Sequence, residues 1–126
     1  MEDVDEEKKL EFMRADEKMR DSLTKLYVKP FISNKVDDAL KEDNSGKLSG
    51  FFIIDIDDFE KVNDEMGTAF GDEILKNMAE DITKLFYDTD LLGRLGSDEF
   101  VVLMRNVENV KDIERKVKEI QRVIAI

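Results

Sequence analysis

The chain has 126 residues, 41% of them hydrophobic and 40% charged, with a formal net charge of −11 and neither cysteine nor histidine. That length supports one domain with a single modest core of two layers, and no apolar run nears the roughly 20 residues needed to cross a bilayer. The N-terminus lacks the basic-then-apolar pattern of a signal peptide, so a soluble, cytoplasmic domain is expected. So acidic a chain argues against electrostatic binding of nucleic acid, which takes clustered Lys and Arg. The lack of Cys rules out disulfides and thiolate sites. Without His as well, any metal must be held by oxygen, which favours Mg²⁺, Mn²⁺ or Ca²⁺ over zinc. A triphosphate ligand would then depend on a divalent cation, on backbone N–H groups and on a few local cations.

Residues 2–20 predict a charge-dense helix of weak amphipathicity, with Leu10 and Met13 three apart and no clear stripe beyond them. It reads either as a solvated tail or as a linker helix. Asp21-Ser22-Leu23-Thr24-Lys25-Leu26 breaks the helical rhythm, and Pro30 suits the first position of a new helix, where a missing N–H costs nothing. Ile32, Val36 and Leu40, spaced by four with Ala39 beside them, give the helix over 30–41 its expected buried stripe. Asp43-Asn44-Ser45-Gly46 should end it in a turn.

Phe51-Phe52-Ile53-Ile54 is a continuous apolar run between Gly50 and Asp55, and it predicts a central strand buried on both faces. From Gly71 to Phe86, the set Ile74, Leu75, Met78, Ile82, Leu85 and Phe86 follows the helical period. Residues 91–95 and 100–104 flank Gly96-Ser97 and predict a β-hairpin with a tight turn and positive φ at the glycine. A last amphipathic helix over 107–124 carries Val110, Ile113, Val117, Ile120 and Ile124. The expected order is helix, helix, strand, helix, hairpin, helix, an α+β fold with helices on a small sheet.

Asp55 and Asp57 fall at the strand end, and Asp98 and Glu99 at the hairpin tip. Adjacent strands would bring Asp55 and Asp98 together, and two carboxylates in contact repel unless a cation lies between them. A divalent metal there suits phosphoryl or nucleotidyl transfer, where it neutralises developing charge. Taken singly, each of these residues is as well explained as a turn or a helix cap. A calcium loop is excluded, because Phe59 stands where a third oxygen ligand belongs and Glu60 where the loop glycine belongs.

In order along the chain stand Asp21-Ser22-Leu23-Thr24-Lys25-Leu26, then Asp55-Ile56-Asp57-Asp58-Phe59 with Asn63-Asp64, Gly67 and Gly71-Asp72, then Arg94-Leu95-Gly96-Ser97-Asp98-Glu99-Phe100. Together they resemble the GGDEF (diguanylate cyclase) family, with its D-x-L-T-x-L, D-x-D-x-F-K-x-x-N-D and R-x-G-G-[DE]-E-F motifs. The resemblance implies a ferredoxin-like palm fold of the nucleotide-cyclase and polymerase type over residues 21–126. It also makes residues 1–20 a signalling helix from an upstream sensory or regulatory domain.

The implied activity is the Mg²⁺- or Mn²⁺-dependent condensation of two GTP into cyclic di-GMP by a homodimer in bacterial second-messenger signalling. The resemblance also implies the site residues. Asp55, Asp98 and the Ile56 carbonyl would hold the metal, and Asn63 and Asp72 would read guanine. Asp58, Phe59, Gly96 and Ser97 would line the phosphates and ribose, and Glu99 would assist the attacking 3′-hydroxyl.

Departures from the pattern keep a second reading open, a degenerate domain that binds GTP or a protein and regulates without turnover. A third reading is a dimerising output module. Glu60 stands for the usual triphosphate-binding lysine, Ser97 for the second motif glycine, Thr68 for a histidine and Val28-Lys29-Pro30 for N-R-R. The R-x-x-D feedback site falls on Tyr87-Asp88-Thr89-Asp90, so product inhibition there is not expected without its arginine. The family's closing strand and helix have no counterpart before Ile126, so a C-terminally shortened palm is expected.

Overall fold

The structure, a computed structural model, describes residues 2–43 and 45–124. The order is α1 (Glu2–Lys18), β1 (Tyr27–Val28), α2 (Lys29–Glu42), β2 (Leu48–Asp55), α3 (Phe59–Met66), α4 (Thr68–Thr83), β3 (Leu91–Arg94), β4 (Glu99–Val107) and α5 (Val110–Ile124). The strands form one mixed four-stranded sheet in the order β1-β3-β4-β2, antiparallel except where β1 runs parallel to β3. The expected α+β class is therefore present. Two elements carried no periodic signal: β1 has only two residues, and α3 is a short helix anchored by the buried Phe59.

The strand at Phe51–Ile54 is neither central nor buried on both faces. It is part of β2, at the edge of the sheet, and its side chains alternate: Phe52 and Ile54 are buried, while Phe51 and Ile53 are 54% and 58% exposed. The reason is coverage. Leu75, Ala79 and Ile82 of α4 and Ile120 of α5 pack over Phe52, Ile54, Phe100 and Val102. On the other face α2 lies over β3, where Ile32 sits so close to Gly93 that a Cβ there would fall 2.6 Å from it. Nothing among the described residues covers the β2 side of that second face. The doubly buried strand is β4, in which Phe100, Val101, Val102 and Leu103 are all buried.

Helix bounds shift for similar reasons. In α2 only Ile32 is fully buried and Leu40 is 53% exposed, because the helix meets the sheet near its N-terminal half. The helix expected from Gly71 runs from Thr68 to Thr83, with Leu85 and Phe86 packing on the core from the turn beyond it. Val107 closes β4 instead of opening α5, and Val110 on α5 is exposed. The turn expected at residues 43–46 is held by Asp43 Oδ1, which accepts from the Ser45 N–H and hydroxyl; Asn44 lies outside the described residues.

The segment between α1 and β1 folds back tightly. The Asp21 N–H donates to the Leu26 carbonyl at 2.6 Å and the Lys25 N–H to the Asp21 carbonyl at 2.8 Å, which forces Lys25 to φ 66°. A side chain in that left-handed region costs roughly 1–2 kcal/mol. Lys25→Gly should therefore raise stability by roughly 0.5–1 kcal/mol in urea denaturation, the relief exceeding glycine's added freedom when unfolded. Lys25→Ala, which keeps the Cβ, should give no gain.

Candidate functional site

The site is built where β2 and β4 end together. From Phe51↔Leu103 to Asp55↔Glu99 the two strands stay in register, and the Ile56 N–H continues the ladder to the Asp98 carbonyl at 3.1 Å. Directly paired residues share a face, so Asp55 stands beside Glu99, and Asp98 follows one step further on, at the turn. Among the described residues, none of the ion pairs reaches Asp55, Asp98 or Glu99.

The hairpin turn is wider than the tight one expected. Leu95, Gly96, Ser97 and Asp98 separate the strands, the Leu95 N–H donates to the Glu99 carbonyl at 2.8 Å, and Gly96 does not take positive φ. Its shape is set instead by Arg94. The Arg94 guanidinium donates from Nε to the Gly96 carbonyl at 3.0 Å, from Nη2 to the Ser97 carbonyl at 2.7 Å and from Nη1 to Asp21 Oδ2 at 3.0 Å.

That same Asp21 oxygen accepts from the Thr24 N–H and hydroxyl, each at 2.8 Å. Partial burial raises the Asp21 pKa, but the Thr24 bonds and the Arg94 guanidinium outweigh it and hold the carboxyl below the ordinary aspartate range. Neither Arg94 nor Asp21 was picked out as a site residue from the sequence. Their opposite charges and their places inside two motifs were the only signal, across 73 positions.

Beyond β2 the chain turns sharply through Asp58, which takes φ 55° and ψ 30° at the start of α3. Its side chain does not cap the helix, so the first N–H groups of α3 are left without that partner. An open hollow of about 480 Å³ lies there, lined by Asp58, Phe59, Glu60, Lys61, Asp64 and Asp98. A larger cavity of about 540 Å³ lies between the end of β2, α4 and α5, bordered by Asp55, Ile56 and Asp57 but walled by Ile74, Met78 and Ile124. It contains neither Asp98 nor the first turn of α3, whereas the polar hollow holds both, and of these the helix N–H groups are what an anionic ligand could meet.

At the other end of α3, Asn63 leans over Gly71 at the start of α4. A Cβ on Gly71 would meet Asn63 Oδ1 and the Phe59 ring, so only glycine admits this approach. Asn63 Oδ1 is buried and has no hydrogen-bond partner among the described residues. Asp72 follows Gly71 directly and is half-buried. The structure thus groups Asn63, Gly71 and Asp72 at one corner, and Gly96 to Glu99 at the other, with Phe59 reaching between them.

No group of three or more acidic side chains among the described residues is gathered tightly enough to hold a metal alone. Asp55 and Asp98 stand at the same strand end but border different cavities. Hard carboxylates there suit Mg²⁺ all the same, because that ion commonly takes only one or two protein carboxylates and completes its shell with water and substrate phosphates.

The family model for the diguanylate cyclase GGDEF domain matches residues 18–126. The chain belongs to the GGDEF family. Among curated relatives, Diguanylate cyclase TpbB of Pseudomonas aeruginosa is 36% identical over 96 residues, covering 75% of this chain and 22% of that protein. Cyclic di-GMP phosphodiesterase PdeR of Escherichia coli is 35% identical over 98 residues, covering 74% and 15%. Among solved structures, the isolated GGDEF domain of TpbB superposes with a TM-score of 0.79 at 33% identity, covering 85% of this chain and 63% of that one. The chain thus spans about a fifth of the length of the curated TpbB it matches. No helix among the described residues is long and apolar enough to cross a membrane.

Since folding lowers the Asp21 pKa, its contribution to stability is complete above the unfolded value of about 3.9 and is lost as the pH falls through the folded one. Asp21→Asn should lower stability at pH 7 by roughly 1–2 kcal/mol, the scale of a charged hydrogen bond. It should also flatten the dependence of stability on pH below about 4. Urea titrations at pH 7 and pH 3 check both.

Proposed function

We propose that this GGDEF domain binds Mg²⁺–GTP at the joint end of β2, β4 and α3 and, paired with a second copy, condenses two GTP into cyclic di-GMP. The observation that carries this reading is the orphaned Asn63 Oδ1. A buried acceptor without a partner costs about 1–3 kcal/mol, and the N–H groups along a guanine edge would satisfy it and the neighbouring Asp72 carboxylate together. In this reading Asn63 and Asp72 select guanine, and the N–H groups after Asp58 and Phe59 take phosphate. The turn at Gly96 and Ser97 accommodates the ribose side.

Asp55, Asp98 and the Ile56 carbonyl would hold Mg²⁺ or Mn²⁺, which when bound supplies charge neutralisation for phosphates entering an acidic site. Glu99, opposite Asp55, would accept the proton from the 3′-hydroxyl that attacks the partner GTP's α-phosphate, with pyrophosphate leaving. One GTP per protomer explains the need for a homodimer, and α1 would connect the domain to an upstream regulatory domain. The side chain at the feedback position does not suit product. Asp90 is buried with its carboxylate accepting from the Tyr87 and Arg105 N–H groups, and Tyr87, in place of arginine, is 81% exposed. A cytoplasmic location follows from a GTP substrate.

Glu60 in the hollow favours a second reading, in which GTP binds and regulates a partner without turnover. A match to part of a protein named as a phosphodiesterase is consistent with such a use. Incubation of the domain, including a version extended by its natural flanking sequence, with GTP and Mg²⁺ separates the two. Cyclic di-GMP and pyrophosphate on ion-exchange chromatography support the cyclase, whereas GTP binding without product supports the regulator. In calorimetry, Asp55→Asn and Asp98→Asn should each weaken Mg²⁺–GTP by roughly tenfold or more, with little change in metal-free GTP. Unchanged Mg²⁺–GTP affinity in both would make the pair structural.

A further inference from the structure

Glu60 poses an electrostatic difficulty for the proposed site. The hollow is bordered by four carboxylates, those of Asp58, Glu60, Asp64 and Asp98, and the terminal phosphates of a triphosphate would enter it against that charge. Of the six residues that line it, Lys61 alone is cationic.

The helical period explains why it is there. Phe59 is 3% exposed and points inward, and successive residues of α3 turn by about 100°. Asn63 therefore returns toward the inner side, while Glu60, Lys61 and Asp64 share the outer one. Lys61 is thus held near the phosphate end by the same anchor that places Asn63 at the opposite corner.

Its ammonium is available. The ion pair it makes is with Glu65, four residues on, at 4.0 Å, with the two side chains 72% and 64% exposed. A pair that long and that exposed holds the lysine weakly. A cation in the first turn also opposes the positive end of the helix, a conflict that an anion bound at that end would remove.

We propose that Lys61 supplies the cation for the terminal phosphates that Glu60, one residue earlier, does not. The proposal rests on the reading of this hollow as the triphosphate end of a GTP site. The lysine's four-carbon stem lets its ammonium turn from Glu65 to a β- or γ-phosphate oxygen, as a mobile point charge and not a fixed fork. The site would then keep its phosphate cation with the anchoring position moved by one residue, and Glu60 would be left to solvent.

The test compares GTP with GMP, which shares the guanine and ribose contacts but has no β- or γ-phosphate. With Mg²⁺ present, calorimetry on the intact chain should show Lys61→Gln weakening GTP by roughly tenfold, one charge-assisted phosphate contact, while GMP affinity stays the same. Lys61→Arg should retain most of the GTP affinity, and adding Glu60→Lys to Lys61→Gln should restore it. If Lys61→Gln lowers GTP and GMP affinity equally, or neither, Lys61 does not hold the terminal phosphates and the proposal is wrong, while GTP recognition at the site stands. If the parent chain binds neither nucleotide, the reading of the site fails and this proposal fails with it.

Discussion

The pairing of β2 with β4 is the interaction on which the rest of the domain depends. It runs without a break from Phe51↔Leu103 to Asp55↔Glu99 and continues through the Ile56 N–H into the hairpin turn. In this one register Phe52 and Ile54 join Phe100 and Val102 beneath α4 and α5, and Asp55 is set beside Glu99 at the end of the sheet. A slip of one residue would turn the core pairs outward and the carboxylates inward. The energy that fixes the site's geometry is therefore largely the burial of the core, and the pairing of two acidic residues at its tip is sustained by the apolar pairs behind it.

Around that pairing, three supports hold the site from different parts of the chain. Arg94 braces two carbonyls of the hairpin turn and ties it to Asp21, in the segment that leaves α1. Phe59 is buried at the start of α3 and fixes the rotation of that helix, and so which of its residues face the hollow. Gly71 lets α4 approach closely enough for Asn63 to lean across it. The Arg94–Asp21 link also connects the segment after the N-terminal helix to the hairpin turn. It is a single half-buried contact that would respond to any shift of the turn at Asp21.

The hollow's acidity shapes its chemistry. Carboxylates close together repel a triphosphate unless a cation intervenes, so under the proposed function affinity for nucleotide and affinity for metal would be coupled. The same acidity makes the hollow sensitive to the placement of one or two basic side chains, and Glu60, where the family pattern has a lysine, lies in it. The proposed base corner, at Asn63 and Asp72, lies away from those charges.

Much was legible in the residues alone. The ordered motifs around Asp21, Asp55 and Gly96 identified the family, and helical spacing located α4 and α5, because those patterns reflect local period and contiguous sequence. The sequence could not tell an edge strand from a central one: Phe51 to Ile54 is uniformly apolar, and only the position of α2 over β3 decides that Phe51 and Ile53 stay uncovered. Nor could it show β1, whose two residues hold their place by pairing with β3 from far along the chain, or the Arg94–Asp21 contact across 73 positions. By itself, then, the sequence determined the family and most of the local elements. Which carboxylate stands beside Asp55, what braces the hairpin turn and which lysine faces the hollow depend on long-range register and helix rotation, and only the tertiary structure decided them.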